Sequence, residues 1–366
     1  MFTGKAGLKS ACYRLCKMNL IRTQKIFDRE INSRSHSGAQ LYVSLRGELM
    51  ADCAFGQAGP GVAMNIRTHQ LWMSAGKPIT AIAILQLVAR GELSLDTTVA
   101  EVIPGFAVNG KAAITIRHCL THTAGFRGPL NNFTPGPWED IITRVCKLKQ
   151  EPGWVPGEKA GYHVGSSWFA LGEIIARVGG CSFDDFVRNN VLRPAGAMRA
   201  SFADVASAGD QIDLAVVTPD FPGNVLDGVA RPGASARGPI RDLAMVYESI
   251  LHHDGRLLPE ELSLQMIRTQ RAGMFDETFK QTIDWGYGFK LDSKHYGKAE
   301  TYGYGPHASR HAFGHSGNQC SCAFADPAYD LIIAWCFNSM PGEAAHQERQ
   351  NAINAAVYED LGLATT

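Results

Sequence analysis

The most informative segment of this chain is Leu71-Trp72-Met73-Ser74-Ala75-Gly76-Lys77-Pro78, in which Ser74 and Lys77 form an S-x-x-K pair. No other serine has a lysine three residues later. Proline lacks an N–H, and only the first helical N–H groups lack partners within a helix. Pro78 therefore predicts a helix that begins near Ser74. Residues three apart on a helix share a face, so Lys77 is expected one turn beyond Ser74.

This pair has two interpretations. A serine at a helix N-terminus lies at the positive end of the helix dipole, and a desolvated lysine beside it can accept the hydroxyl proton. The same residues also fit an ordinary helix start, with Ser74 as the cap and Lys77 exposed. The pair alone favours the ordinary start, so a catalytic interpretation depends on the rest of the chain.

Three later segments change that balance. They are 116–126 (Ile-Arg-His-Cys-Leu-Thr-His-Thr-Ala-Gly-Phe), 156–162 (Pro-Gly-Glu-Lys-Ala-Gly-Tyr) and 313–318 (Phe-Gly-His-Ser-Gly-Asn), the last expected to open the penultimate strand. With the S-x-x-K pair, they resemble the serine hydrolases of the penicillin-binding protein and class C β-lactamase superfamily. In particular, they resemble its esterase-type branch, often called family VIII esterases. The resemblance covers nearly the whole chain, from about residue 40 to about residue 360.

The resemblance implies a role for each motif residue. Ser74 is the nucleophile that becomes acylated, and Lys77 assists its deprotonation. Tyr162 passes a proton to the leaving group and later activates the acyl acceptor. Whether Lys77 or Tyr162 is the general base stays open, as it does in related enzymes.

The third motif implies the substrate contacts. His315, Ser316 and Gly317 occupy the place of the family's K-T-G segment and are expected to bind substrate. The backbone N–H groups of Asn318 and Ser74 are expected to form the oxyanion hole, since acyl transfer needs donors for the developing negative charge.

Two departures from the family pattern bear on the substrate. The second motif is usually Tyr-x-Asn, but here it is Tyr162-His163-Val164. His315 replaces the lysine of β-lactamases and peptidases. Both changes occur in the esterase branch and argue against peptidoglycan or β-lactam substrates. His163 is assigned to substrate binding, with an exposed side chain as the alternative, and His122 is expected to fix a turn.

Apolar patterning predicts an α+β fold, and the resemblance implies a β-lactamase/DD-peptidase-like one. Two hairpins are expected, one around Arg46-Gly47-Glu48 and one around residues 326–330. The antiparallel sheet would come from residues 1–70 and 235–366, with a mainly helical domain at 71–234 that carries Ser74, Lys77 and Tyr162. Helical spacing predicts helices over 75–90, 116–121, 138–149, 167–178, 183–192, 240–252 and 342–361. Helical spacing of Cys12, Cys16, Leu20, Phe27 and Ile31 also predicts an amphipathic first helix.

Composition excludes several classes of function. The 366 residues carry 35 basic and 35 acidic side chains, so the net charge is zero, which argues against nucleic acid as a partner. No apolar run approaches the length of a membrane span. The odd count of nine cysteines suggests reduced thiols in the cytoplasm. Cys320 and Cys322 are expected on one strand face as buried thiols, and no metal or cofactor is expected.

The preferred interpretation is a cytoplasmic serine hydrolase, an esterase, that forms an acyl-enzyme on Ser74 from a neutral ester or amide. One alternative is a transacylase of secondary metabolism that passes the acyl group to an amine or alcohol. An alternative of another class is a non-catalytic scaffold or binding protein that keeps the fold. The oligomeric state is left open.

Overall fold

The computed structural model describes residues 14–16, 20–33, 38–129, 136–203, 228–297 and 303–364. The strands are β1 Arg14–Cys16, β2 Gly38–Leu45, β3 Glu48–Gly59, β4 Val62–Ala63, β5 Gln70–Leu71, β6 Arg237–Gly238, β7 Phe275–Asp276, β8 Gln281–Thr282, β9 Lys290–Leu291, β10 Phe313–Gly317, β11 Ser321–Asp326 and β12 Leu331–Phe337. The α-helices are α1 Ile21–Asn32, α2 Lys77–Ala89, α3 Val99–Val102, α4 Ile116–Leu120, α5 Trp138–Lys147, α6 Ser166–Gly179, α7 Phe183–Val187, α8 Arg193–Ala195, α9 Ile240–Leu251, α10 Glu260–Ile267 and α11 Glu343–Asp360.

The central sheet joins strands from both ends of the chain. Its order is β1-β3-β2-β12-β11-β10-β9, with antiparallel pairing throughout and β4 added to β3. The two predicted hairpins are β2–β3 and β11–β12, and they pair with each other through β2 and β12. Both residues between β2 and β3, Arg46 and Gly47, have positive φ angles, which suit a tight two-residue hairpin. The predicted α+β fold with a sheet from both termini is confirmed.

Helices cover both faces of this sheet. Side chains alternate along β2, so Leu41 and Val43 pack with α1 and α11, whereas Tyr42 faces the core that contains α9 and α2. Helix α2 is buried from Lys77 to Leu87, as expected for a helix that is apolar all round. The domain boundaries predicted at residues 70/71 and 234/235 stay a prediction.

Two local predictions are wrong. The first helix begins at Ile21, and Cys16 instead lies in β1, where it pairs with Ala51 of β3. The helical spacing of the apolar residues before Ile21 does not reflect a helix, because the backbone of β1 makes its hydrogen bonds with β3 instead. Cys12 lies outside the described residues. The third motif does not open the penultimate strand: it forms β10, and a turn through Gln319, with a φ of 54°, separates it from β11.

The same turn changes the environment of the cysteine pair. Cys320 lies in the turn and Cys322 in β11, so they do not share a strand face. Both are buried, and the cysteines whose side chains are described are free thiols: Cys53, Cys119, Cys146, Cys181, Cys320, Cys322 and Cys336. No helix in the described ranges is both long enough and apolar enough to cross a membrane.

Candidate active site

The S-x-x-K pair lies at the start of α2. A 3₁₀ turn, Met73–Gly76, leads into the helix, and Pro78 is at its second position, so the predicted helix start is confirmed. The Nζ atom of Lys77 lies 2.9 Å from the Oγ atom of Ser74. Lys77 is completely buried, so the alternative of an exposed lysine at an ordinary helix start is wrong.

Close packing holds the turn Met73–Gly76, which carries Ser74. Met73 has a φ of 52°, a left-handed conformation that non-glycine residues rarely adopt. A Cβ atom on Gly317 would lie 2.1 Å from the Trp72 carbonyl oxygen, so only glycine lets β10 approach this closely. The Ser321 hydroxyl donates to that same oxygen at 2.7 Å. Strands β10 and β11 therefore fix the turn that presents Ser74.

The surroundings of Lys77 favour its neutral form. Burial lowers the pKa of Lys77 well below its usual value. Its Nζ donates to the carbonyl oxygens of Val164 at 3.1 Å and Gly233 at 2.6 Å. A neutral amine has two N–H donors and one lone pair. A neutral Lys77 that donates both of its N–H groups to these carbonyls would have its lone pair free for the Ser74 hydroxyl, as a general base needs.

Tyr162 lies beside this pair. Burial raises its pKa, and a hydrogen bond with the Ser74 side chain opposes that shift. The Nζ atom of Lys77 is 5.2 Å from the centre of its ring. A phenol whose pKa is raised keeps its proton at neutral pH and can donate it. The structure thus places Ser74, Lys77 and Tyr162 next to one another, as the family resemblance implies.

His315 lies on β10, and its ring centre is 5.9 Å from that of Tyr162. Its Nδ1 atom is 2.8 Å from the carbonyl oxygen of Ser316, so the ring proton is on Nδ1 and Nε2 is an acceptor. That Nε2 is buried and has no hydrogen-bond partner within the described parts of the chain. Burial lowers the pKa of His315 well below its usual value.

The rest of the third motif divides between the two faces of β10. The Ser316 hydroxyl donates to Gln350 of α11 at 2.7 Å, and substrate binding by Ser316 stays a prediction. Asn318 is exposed in the turn after β10. The preceding residue, Gly317, packs against the turn Met73–Gly76. The oxyanion-hole role of the Ser74 and Asn318 N–H groups stays a prediction.

His163 and His122 support the Tyr162 segment from the interior. The exposed alternative for His163 is wrong, because the side chain is fully buried and its Nε2 accepts from the Phe126 N–H at 3.2 Å. The backbone N–H of His163 donates to His122 Nδ1 at 2.9 Å. His122 has a φ of 59°, as expected for a residue that fixes a turn. These contacts are structural, and substrate binding by His163 stays a prediction.

Sequence reasoning missed the residues that hold Tyr162. Asp276 accepts a hydrogen bond from the Tyr162 N–H although the two are 114 residues apart, and Arg271 pairs with Asp276. No spacing rule connects residues so distant. The only local signal is that Asp276 precedes Glu277-Thr278, a setting in which aspartate often caps a turn.

This arrangement has the groups that acyl transfer requires. It contains a hydroxyl, a desolvated amine beside it whose lowered pKa favours acceptance of a proton, and a phenol that can donate one. Across the described ranges, no group of three or more histidine, cysteine, aspartate or glutamate side chains is placed to hold a metal ion. The fold and the site together are those of serine hydrolase-type enzymes that carry an S-x-x-K pair.

Comparison with known proteins agrees with that class. The model of the Beta-lactamase family matches residues 23–358, and the chain belongs to this family. Penicillin-binding protein 4 of Amycolatopsis lactamdurans is 28% identical over 286 residues, 73% of this chain and 74% of that protein. Esterase EstB of Burkholderia gladioli is 26% identical over 313 residues, 73% of this chain and 78% of that protein.

A solved structure extends the likeness to the whole fold. The crystal structure of a family VIII carboxylesterase superposes with a TM-score of 0.77, at 24% identity, over 94% of this chain and 98% of that one. Identity at this level establishes the shared fold. The recognition of an esterase-type member of the superfamily is confirmed.

Proposed function

We propose that this protein is a serine esterase that forms a covalent acyl-enzyme on Ser74 from a neutral ester or amide. The observation that carries the proposal is the 2.9 Å distance between Lys77 Nζ and Ser74 Oγ, with Lys77 desolvated. The likeness to an enzyme named as an esterase, EstB, supports the same activity. The cytoplasmic location belongs to the proposal.

In the proposed mechanism, Lys77 takes the Ser74 proton as Oγ bonds to the substrate's carbonyl carbon. The N–H groups of Ser74 and Asn318 receive the developing oxyanion. The bond to the leaving oxygen then breaks, and Tyr162 donates its proton to that oxygen. The proton on Lys77 restores Tyr162. Water attacks the acyl-enzyme in the reverse sense, returning a proton to Ser74 and releasing the acid.

The site favours substrates without a negative charge. His315 is held neutral by burial, so it offers a hydrogen bond but no fixed positive charge. Val164 supplies no amide to an acylamino group. The ring of Phe279, which is 36% exposed, lies 4.8 Å from that of Tyr162 and adds an apolar surface near the departing group. An amine or alcohol that replaced water as the acceptor would make the enzyme a transacylase.

Ser74→Ala tests the proposal. Hydrolysis of p-nitrophenyl butyrate should disappear, while Ser44→Ala, which removes another buried hydroxyl on β2, should keep it. A fluorophosphonate probe should label Ser74 in the folded wild type. Ester hydrolysis retained by Ser74→Ala, or no adduct on Ser74, would contradict the proposal, and absence of both activity and adduct would favour a scaffold. Transferred product with added amines or alcohols would favour the transacylase.

A further inference from the structure

The hairpin β7–β8 holds the backbone of Tyr162 on both sides. The Tyr162 N–H donates to Asp276 Oδ1 at 3.0 Å, and the Thr278 hydroxyl donates to the Tyr162 carbonyl oxygen at 3.0 Å. One residue further on from Asp276, the Glu277 N–H donates to the Ala160 carbonyl oxygen at 2.9 Å. The segment that carries Tyr162 is therefore bound to this hairpin by three hydrogen bonds.

Asp276 is also the organising group of the hairpin itself. Its Oδ1 accepts the N–H groups of Thr278 at 2.9 Å and Phe279 at 3.1 Å, besides that of Tyr162. Its Oδ2 lies 3.1 Å from the Arg271 guanidinium, and both side chains are almost completely buried, 0% and 1% exposed. A carboxylate that collects three N–H donors in one place fixes their relative positions.

Arg271 extends the same network to the aromatic side of the site. It donates to the carbonyl oxygens of Thr121 at 3.2 Å and Ile283 at 2.9 Å, and its guanidinium lies over the ring of Trp285. Burial lowers the pKa of Arg271 to about 10, so it stays charged at neutral pH. Trp285 in turn packs on Tyr162, with ring centres 5.8 Å apart.

Burial of an ion pair is costly and seldom adds net stability over well-packed apolar residues. Here the Arg271–Asp276 pair binds the backbone N–H of Tyr162, whose side chain must be held in place for the proposed chemistry. Proton transfer needs the donor oxygen within hydrogen-bond reach of the leaving group, and small displacements lower the rate strongly. A fixed backbone, with Phe279 and Trp285 against the ring, leaves the Tyr162 hydroxyl little freedom.

We infer that Asp276, held by Arg271, is a positioning residue that sets the Tyr162 hydroxyl for proton transfer to the leaving group. This inference rests on the proposed function, in which Tyr162 is that proton donor. Asp276 acts through Tyr162 and does not itself touch the substrate.

The test is Asp276→Asn with two butyrate esters that differ only in the leaving alcohol. p-Nitrophenolate departs without a proton, whereas an alkoxide must be protonated as it leaves. Because kcat/KM reports the acylation half of the reaction, it isolates this step. Asp276→Asn should lower kcat/KM for ethyl butyrate by at least about 10-fold more than for p-nitrophenyl butyrate. An equal loss on both esters would overturn the inference.

Asp326→Asn is the matched control. Asp326 is a fully buried carboxylate that accepts hydrogen bonds from the Ser309 N–H and the Tyr358 hydroxyl, on β11. Any loss caused by weakened folding should affect both esters alike in this variant. A leaving-group preference in Asp326→Asn equal to that in Asp276→Asn would contradict a specific role for Asp276.

Two further variants keep the inference testable if Asp276→Asn does not fold. Thr278→Val removes the hydroxyl that donates to the Tyr162 carbonyl and accepts from Arg127 at 2.8 Å, and this variant should show the same preference with a smaller loss. In a protein that already carries Tyr162→Phe, the hydroxyl to be positioned is absent. Neither Thr278→Val nor Asp276→Asn should then cause a further selective loss of kcat/KM on ethyl butyrate, and such a loss would overturn the inference. If the wild type hydrolyses neither ester, the proposed function fails with it; an active wild type with unselective variants contradicts the inference alone.

Discussion

The Nζ atom of Lys77 lies 2.9 Å from the Oγ atom of Ser74, and two backbone carbonyls receive its other hydrogen bonds. Burial is the cause of its lowered pKa. An exposed lysine would be an ammonium ion at neutral pH, without a lone pair for the serine proton. The helix start therefore does more than place two side chains together, because the burial of Lys77 also favours the uncharged amine that the proposed mechanism needs.

Lys77→Met should lower kcat/KM for p-nitrophenyl butyrate by about 10²–10⁴-fold, the usual contribution of a general base. In the wild type, kcat/KM should rise with pH through the lowered pKa of Lys77, since only the neutral amine accepts a proton. Lys77→Met should lack that rise. The pH–rate profiles of the two proteins are the measurement.

Lys111→Met controls for the loss of a buried lysine. Lys111 is also completely buried and donates to the backbone carbonyls of Val108, Cys146 and Leu148. This variant should be less stable but should retain the wild-type pH profile. A profile without the rise in Lys111→Met, or with it in Lys77→Met, would contradict the assignment of the base.

Tyr162→Phe should keep the packing of the ring and lose only the hydroxyl, which is the proton donor. Turnover of alkyl esters should fall by about 10² or more, the range for lost acid–base assistance. Tyr304→Phe is the control, because Tyr304 is fully buried and its hydroxyl donates to the Lys290 carbonyl oxygen at 2.8 Å. If steady-state rates of Tyr162→Phe stay within a few-fold of wild type, the relay belongs to another residue, with His315 the first candidate.

Short sequence motifs predicted much of the fold, because hairpins and helix starts depend on residues that are neighbours in the sequence. Arg46-Gly47 can adopt the two positive φ angles of a tight hairpin, and Pro78 limits where a helix can begin. The turn at Gln319 escaped prediction because it needs a left-handed non-glycine residue, for which the sequence has no clear signature.

Predicting the site was limited by contacts between distant residues. Ser74 and Lys77 are three apart, so helix geometry alone brings them together. The bond between Asp276 and Tyr162 joins residues 114 apart and depends on how the hairpin packs on the helical region. The neutral state of His315 likewise follows from burial, which the motif cannot specify.

Buried histidines should make stability depend on pH. Burial lowers the pKa of His163 to about 4, whereas an unfolded histidine has a pKa near 6.5. The unfolded chain then binds the extra proton, so stability present above about pH 6.5 is lost as pH falls toward 4. His163→Gln removes this loss. The difference in the free energy of unfolding between the wild type and His163→Gln should therefore be about 2 kcal/mol smaller at pH 5 than at pH 7.5.

Urea unfolding at the two pH values measures this difference. Tyr304→Phe should cost the same free energy at both, because it removes no group that titrates in that range. A cost of His163→Gln that stays constant between pH 7.5 and pH 5 would show that the folded and unfolded proteins bind the same number of protons at this residue.

The neutral His315 should make the enzyme discriminate against anionic substrates. Burial lowers the pKa of His315, so its ring provides no positive charge at pH 7, whereas cephalosporins carry a carboxylate. Val164 stands where the family pattern has an asparagine, so the acylamino group of a cephalosporin would lack that partner, and a polar group left unpaired in a buried site costs about 1–3 kcal/mol. We expect kcat/KM at pH 7 to be higher for p-nitrophenyl butyrate than for a chromogenic cephalosporin. His315→Lys should narrow that ratio by strengthening cephalosporin binding. If the wild type instead prefers the cephalosporin, the chain is a β-lactamase with an unusual third motif.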